Sequence, residues 1–503
     1  MSIASAQEAP EISNQTQRAA VRYTEHPEGP RAQPSSRQVA PASIHDLRTP
    51  ASSQATTNHF EGEHDYPNNE GLITETFPEV DNYISTLDPF FRDSNLTLNI
   101  RSAYFRTENE ASTPLAQAWA LGGSFIYESG WFRDFLHLGA GYYTSNGLYK
   151  PTGEGTTLLL KDEPDRTQHN INVLGQMYVE FKHDIYRLKL YRQKLDTPFI
   201  NEHFDRMIPQ LFEAYILGTK NLQPEKKGQG YKRNPDFPIN FMAGYVSEEL
   251  NRGSTTFVPL SSVATKNTTN VDRGVIIGGL EISPANGVST SIWEYYGLDM
   301  FNTIYTEAEG QFNIDEDGAL EGKFAVQFID QRSVGDAIVG KWSSQVIGLL
   351  AGVSYEGFAA SLRYNYNFGG VGIALNGAAN SFGIQSPWGR FPSFNKSTVL
   401  DRNTADTAIY GIWASYNFNA LSSQLEGLEF STSYTYASIE ASSLRADESN
   451  GEFDITLKYT IPALKGLFFE ARGSWVSFND RPGSYVPAIN DYRLYLNYTI
   501  PLL

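Results

Sequence analysis

The chain has 503 residues, no cysteine, and 57 acidic against 39 basic side chains, a formal net charge of −18. The lack of cysteine excludes disulfides and thiolate metal sites, and the acidic balance argues against a nucleic-acid partner, whose phosphates call for clustered Lys and Arg. Mean hydropathy is −0.37 and no run reaches about 18 apolar residues, which excludes α-helical membrane spans but leaves a β-barrel open, since its strands are apolar only at alternate positions.

Residues 1–88 are rich in Pro, Ser, Thr, Gln, Asn and Glu, as in Ala51-Ser52-Ser53-Gln54-Ala55-Thr56-Thr57-Asn58, and read as a flexible polar extension. Met1 to Gln7 lacks a charged n-region and an apolar h-region, yet Ala4-Ser5-Ala6 has the small-x-small form a signal peptidase leaves. The expectation is a secretory signal already removed upstream. His59-Phe60-Glu61-Gly62-Glu63-His64-Asp65 has the imidazole and carboxylate donors that suit Zn or Mn, but its surroundings read as an acidic linker. Neither a metal nor a cofactor is expected.

From about residue 94 the dominant signal is period two. Leu96-Thr97-Leu98-Asn99-Ile100-Arg101 alternates apolar and polar, as do Phe324 to Phe328, Leu362 to Phe368, Phe453 to Tyr459 and Leu494 to Ile500. Short connections fall at Glu128-Ser129-Gly130, His183-Asp184, Ser283 to Gly287, Ile314 to Gly318, Tyr355-Glu356-Gly357 and Pro462 to Gly466. Longer polar stretches at 145–170, 248–271, 369–405 and 438–451 lie between them. Short turns on one side and long loops on the other are the pattern of a transmembrane antiparallel barrel. Residues 89–503 hold about eighteen strands on this reading, with both ends of the wall on the periplasmic side.

Tyrosine is in excess, at 29 residues beside 30 Phe. Tyr104 and Phe105, Tyr142 and Tyr143, Tyr295 and Tyr296, Tyr434 and Tyr436, Tyr459 and Trp475 lie near strand ends, where interfacial girdles place amphipathic rings. One segment breaks the alternation: Leu195-Asp196-Thr197-Pro198-Phe199-Ile200-Asn201-Glu202-His203-Phe204-Asp205-Arg206-Met207-Ile208-Pro209 is too apolar for a free surface loop.

That stretch, together with Phe90-Phe91-Arg92-Asp93, Ala118-Trp119-Ala120-Leu121-Gly122-Gly123 and Tyr127-Glu128-Ser129-Gly130, resembles the OprD family of outer-membrane porins in order and spacing. The resemblance covers about residues 88–503. It implies an all-β barrel of eighteen strands in the outer membrane of a Gram-negative cell, surrounded by lipid and lipopolysaccharide, as a monomer or loose trimer. It also implies a third extracellular loop folded inward to narrow the pore, and passive diffusion of small, usually carboxylate-bearing solutes past basic side chains.

Strand parity alone turns Arg101, Lys323, Arg363, Lys458, Arg472 and Arg493 inward. Arg101, Lys458, Arg472 and Arg493 fall on strands that become neighbours when the barrel closes, which makes a basic stripe able to offer a carboxylate successive weak sites. Arg187 and Lys189 face inward on the fifth strand and are expected to form the narrow point with Asp205 and Arg206. Inward Glu180, Glu321, Glu429, Asp454 and Glu470 oppose them across the lumen. Tyr178, Tyr191, Tyr495 and Phe468 offer an alternative reading, as stacking surfaces for neutral oligosaccharides in a chitoporin-like channel. A plugged, non-conducting adhesin or enzyme barrel is a third reading. No Gly-x-Ser-x-Gly, phosphate loop or His-Glu-x-x-His is present, and no catalytic residue is expected. The turn Ile314 to Gly318 lacks the later glutamate of a calcium loop.

Overall fold

A computed structural model describes residues 71–503 except 110–114, 153–156, 164–166, 220–238, 269–270, 286, 316–317, 375–378, 442–446 and 480–487. Eighteen strands make the wall. The first six are β1 (Asn95–Asn109), β2 (Ala116–Glu128), β3 (Leu136–Tyr149), β4 (Ile171–His183), β5 (Tyr186–Gln193) and β6 (Leu211–Thr219). Next come β7 (Ile239–Leu250), β8 (Val275–Ala285), β9 (Val288–Gly297), β10 (Phe301–Asn313), β11 (Leu320–Ser333) and β12 (Ser343–Tyr355). The last are β13 (Phe358–Phe368), β14 (Thr407–Asn417), β15 (Leu428–Ile439), β16 (Glu448–Thr460), β17 (Leu467–Asn479) and β18 (Ile489–Pro501).

Sequence neighbours pair antiparallel around the wall, and β1 pairs with β18 from Thr97↔Pro501 to Asn109↔Ile489. The sheet is therefore closed, as it must be where lipid offers no hydrogen bonds to an open edge. β1 has 15 residues and β18 has 13, more than the roughly 9–11 that cross a bilayer. β5 and β6 have only 8 and 9, because the chain between them leaves the wall early and enters the lumen.

Side chains alternate as the sequence pattern predicts. In β12, Ile347, Leu349 and Val353 are exposed outward while Ser344, Val346 and Leu350 are buried inward. The aromatic girdle is narrower than expected. Tyr142, Tyr296, Tyr434, Tyr459 and Trp475 do face outward, but Phe105, Tyr143 and Tyr295 are buried inside, since adjacent residues on a strand point to opposite faces.

The short turns tolerate little else. Glu356 and Gly357 both have positive φ, 43° and 88°, as a two-residue hairpin turn between right-twisted strands requires. A Cβ on Gly357 would lie 2.6 Å from that of Ala420. Before β1, the expectation of a flexible extension through residue 88 is not met at its end. Short helices α1 (Leu72–Thr76), α2 (Pro78–Ile84) and α3 (Pro89–Arg92) form there, and the Ile73 N–H donates to the Leu502 carbonyl at 3.1 Å. The cluster His59 to Asp65 and the small-x-small site lie outside the described residues.

The outward assignment is testable at mid-wall. Leu349→Arg places a charge in lipid and is expected to destabilise the barrel by roughly 2–4 kcal/mol, read by reversible unfolding in phospholipid vesicles. Unchanged stability would mean that Leu349 does not face lipid.

Candidate solute pathway

The inner faces of β6 to β9 are apolar. Phe212, Ala214, Ile216, Met242, Val246, Val275, Ile277 and Trp293 point inward and are buried in one hydrophobic cluster with Leu195, Phe199 and Ile200 of the β5–β6 loop. The loop enters because water cannot cover that wall. Phe199 packs against Tyr295, Tyr305 and Phe391 with ring centroids 5.5, 6.3 and 6.3 Å apart. Gln193 fixes the departure point, its amide donating to the Ala214 carbonyl at 2.9 Å.

At the tip of this loop Asp205 meets three partners. Arg252, from the loop after β7 and fully buried, donates to its carboxylate and to the His203 carbonyl at 3.3 Å. Arg206 approaches the same carboxylate at 3.4 Å, and the Tyr495 hydroxyl of β18 donates to the Asp205 carbonyl at 3.1 Å. Burial pushes the Asp205 carboxyl up, but Arg252 and Arg206 outweigh it and hold the group well below the usual carboxylate range. Burial and the Arg252 charge push the His203 imidazole down. Nε and Nη2 of Arg252 have no acceptor among the described residues.

A second loop also folds inward. The 369–405 stretch reads as a long polar extracellular loop in sequence; the structure instead buries most of 382–402 inside the barrel. Its polar backbone is satisfied by amides on the wall. Gln331 of β11 donates to the Gln385 carbonyl at 2.9 Å and accepts from its N–H at 2.7 Å. Gln327 donates to Pro392 at 2.6 Å and Asn367 to the Arg402 carbonyl at 2.8 Å. The Glu452 carboxylate of β16 accepts from the N–H groups of Val399 and Leu400 at 2.6 and 2.9 Å. The two inward loops then meet: Asn201 donates to the Arg390 carbonyl at 3.2 Å and accepts from the Arg390 N–H at 3.0 Å.

The stripe expected from parity is assembled at this seam. Arg472 and Arg493 sit directly opposite one another on β17 and β18, a costly like-charge pair that each relieves with an acid two residues earlier on its own strand, Glu470 for Arg472 and Asp491 for Arg493. Aromatic rings carry the remaining charge. Arg101 lies 4.5 Å over Phe204 and 4.8 Å over Tyr495, and Arg472 lies 5.2 Å over Tyr495. Arg206 and Arg493 sit 4.9 and 5.0 Å from Phe105, and Lys458 lies 5.4 Å from Phe468 and 3.8 Å from Glu429.

Several placements differ from the sequence reading. Arg493 has 0% exposure and donates to the Thr398 carbonyl at 3.4 Å, so it anchors the second loop rather than meeting a solute. Lys323 pairs with Glu309 at 2.9 Å, and Arg363 is buried against the Phe394 carbonyl at 3.1 Å. Arg187 and Lys189 are not beside Asp205 and Arg206. They lie toward the short-turn end of β5, where Arg187 is 3.5 Å from Glu180. Tyr178, Tyr495 and Phe468 each carry a cation on a face that a sugar ring would need, and Arg192 occupies Tyr191. Arg252, Arg390 and Arg402 were missed, because loop residues carry no periodic signal. The clue was Val275-Ile276-Ile277, apolar on both faces, which marks a wall that needs an inner cover.

A family model described as outer membrane porin, OprD family, matches residues 88–502. The chain belongs to this family. The porin is similar in fold to the crystal structure of Pseudomonas aeruginosa OccK9 (OpdG), at 19% identity and a TM-score of 0.69, covering 82% of this chain and 100% of that one. Acinetobacter baumannii OccAB3 gives 18% and 0.68, with 81% and 99% covered. Pseudomonas aeruginosa OpdK with vanillate gives 18% and 0.66, with 82% and 100% covered. No curated protein matches the porin in sequence. It is thus a closed eighteen-stranded outer-membrane channel for passive diffusion of small solutes.

Removing one partner of a buried ion pair leaves the other uncompensated, at a cost of about 3–5 kcal/mol. Arg252→Met is therefore expected to release the 195–210 tip and raise single-channel conductance in planar bilayers. A conductance equal to wild type would show that Arg252 does not hold the constriction.

Proposed function

We propose that the porin selects small carboxylate-bearing solutes, amino acids and organic or aromatic acids, at the seam between its two inward loops. The carrying observation is the gathering of guanidiniums at one place. Around the seam Arg101, Arg206, Arg252, Arg390, Arg402, Arg472 and Arg493 are set among the carboxyls of Asp205, Glu249, Asp401, Glu452, Asp454, Glu470 and Asp491, in a chain whose net charge is −18. Several of these guanidiniums rest on rings, which holds them in place. A carboxylate entering this narrow space finds planar donors able to bind it in two-pronged fashion and loose enough in number to release it. A structural relative solved with vanillate, a small aromatic carboxylate, supports the same class.

The buried anchor and the more accessible Arg472 separate two effects. Arg472→Ala is expected to lower uptake of benzoate and glutamate into proteoliposomes several-fold, the scale of one charge-assisted hydrogen bond, while uptake of a neutral sugar is unchanged. Arg493→Ala loosens the second loop and raises uptake of both. If Arg472→Ala leaves anion uptake at wild-type level, this substrate class is wrong.

A further inference from the structure

Residues 71–87 precede the part of the chain that the family model matches, and the short helices α1 to α3 bury no residue of their own. Helices of this length do not stand alone in water, since most helical stability comes from covering an apolar face. Such a face is present. Ile73, Phe77, Val80, Ile84, Leu87 and Phe91 recur at alternating steps of four and three, the spacing of one side of a helix, and the acids Glu75, Glu79, Asp81 and Asp88 fall between them. Leu72, Phe77, Tyr83 and Phe91 are each at least 50% exposed, so the protein itself does not supply the cover.

Contacts at its far end place this segment on the outer side of the wall. The Ser94 hydroxyl donates to the Phe90 carbonyl at 3.1 Å and shares a hydrogen bond of 3.1 Å with the Tyr127 hydroxyl. On β2, Tyr127 has the same parity as Leu121 and Phe125, which are exposed to lipid. The Gly130 N–H donates to the Phe90 carbonyl at 2.8 Å. The Phe90 ring lies 5.0 Å from Phe91 and 6.1 Å from Phe132 of the turn after β2. In the same turn Phe135 lies 5.3 Å from Phe181, which faces outward on β4 because Glu180 faces inward. Phe132 and Phe135 are exposed. These rings form an aromatic ledge at the short-turn foot of the wall, continuous with the outward Phe125 and Leu138 above it. Arg133 sits 5.4 Å over Phe132 and makes no ion pair among the described residues. A partner dissolved in the periplasm has no reason to match a surface that runs on into the lipid face; the lipid boundary does, because rings and arginine stems both settle at headgroup level.

We propose that residues 72–91 lie along the periplasmic leaflet as an interfacial foot of the barrel, with Phe77 and Phe91 set against the upper acyl chains and Arg133 on a phospholipid phosphate. Interfacial helices bury their apolar side roughly 5–10 Å into the headgroup and acyl boundary. The acids of the segment then face the periplasm.

The chain contains no cysteine, so Phe77→Cys, Phe91→Cys and Glu79→Cys each give the full-length porin a single site for an environment-sensitive fluorophore, read in vesicles of phosphatidylethanolamine and phosphatidylglycerol. At Phe77 and Phe91 the emission is expected to move to the blue and to lose most of its intensity to lipid spin-labelled near the top of the acyl chain. At Glu79 aqueous iodide quenches and the labelled lipid does not. Arg133→Glu weakens the lipid quenching at Phe91, and Arg133→Lys keeps it. Folding of each variant is checked by heat-dependent gel mobility, with Tyr83→Cys replacing Phe77→Cys if that variant does not fold. Quenching by iodide and not by lipid at either aromatic position in the folded porin overturns the proposal. Energy transfer between labels on separate copies, in place of lipid quenching, makes a second copy the occupant and overturns it as well. Lipid quenching unchanged by Arg133→Glu overturns the phosphate contact.

Discussion

Everything in this porin follows from one requirement: no backbone N–H or C=O may face lipid without a partner. The pairing of β1 with β18 meets it by leaving no edge. Once the sheet is closed around eighteen strands, the ring encloses more space than wall side chains can fill, and the interior needs its own solution. Two loops supply it. The chain after β5 brings Leu195, Phe199 and Ile200 onto an apolar wall. The chain after β13 adds Phe382, Ile384, Trp388 and Phe391 to the same cluster, and the wall satisfies its polar backbone with Gln327, Gln331, Asn367 and Glu452.

Hydrophobic packing places both loops without directionality, and directional contacts then fix each one. For the first loop these are the buried Arg252–Asp205 pair at its tip, and for the second the hydrogen bonds from rigid strands along its length. The loops meet through the reciprocal bonds of Asn201 and Arg390, so the narrow part of the channel is set by strands on opposite sides of the barrel. The basic residues gathered there are held by rings and by acids on their own strands.

The wall was legible in the sequence because period two is a direct consequence of strand geometry. Parity placed Arg101, Lys458, Arg472 and Arg493 on the inner face, and the apolar run from Leu195 to Pro209 announced a loop that could not remain in water. Parity states the face and not the depth of cover, so it turns Arg493 toward the lumen without showing that Thr398 lies over it. It also gives no common height across strands, so it cannot separate Arg187 and Lys189 from the level of Asp205 and Arg206. The second inward loop was hidden because its satisfaction depends on partners such as Gln331, 54 residues away from Gln385 in sequence. The aromatic pairs show the same limit: of Tyr142 and Tyr143, only the first is at the lipid face.

The hydrogen bond from Ile73 to Leu502 joins the segment before the first strand to the end of the last, beside the point where Leu502 itself donates to the Leu96 carbonyl at 2.7 Å. The lead-in is thus a clasp across the weld line of the cylinder. The clasp therefore holds the end of β18 from the side opposite its bond to β1. A pull on the chain upstream of Gly71 therefore meets this weld first, and behind it the bond from the Gly130 N–H to the Phe90 carbonyl that ties the lead-in to the turn after β2.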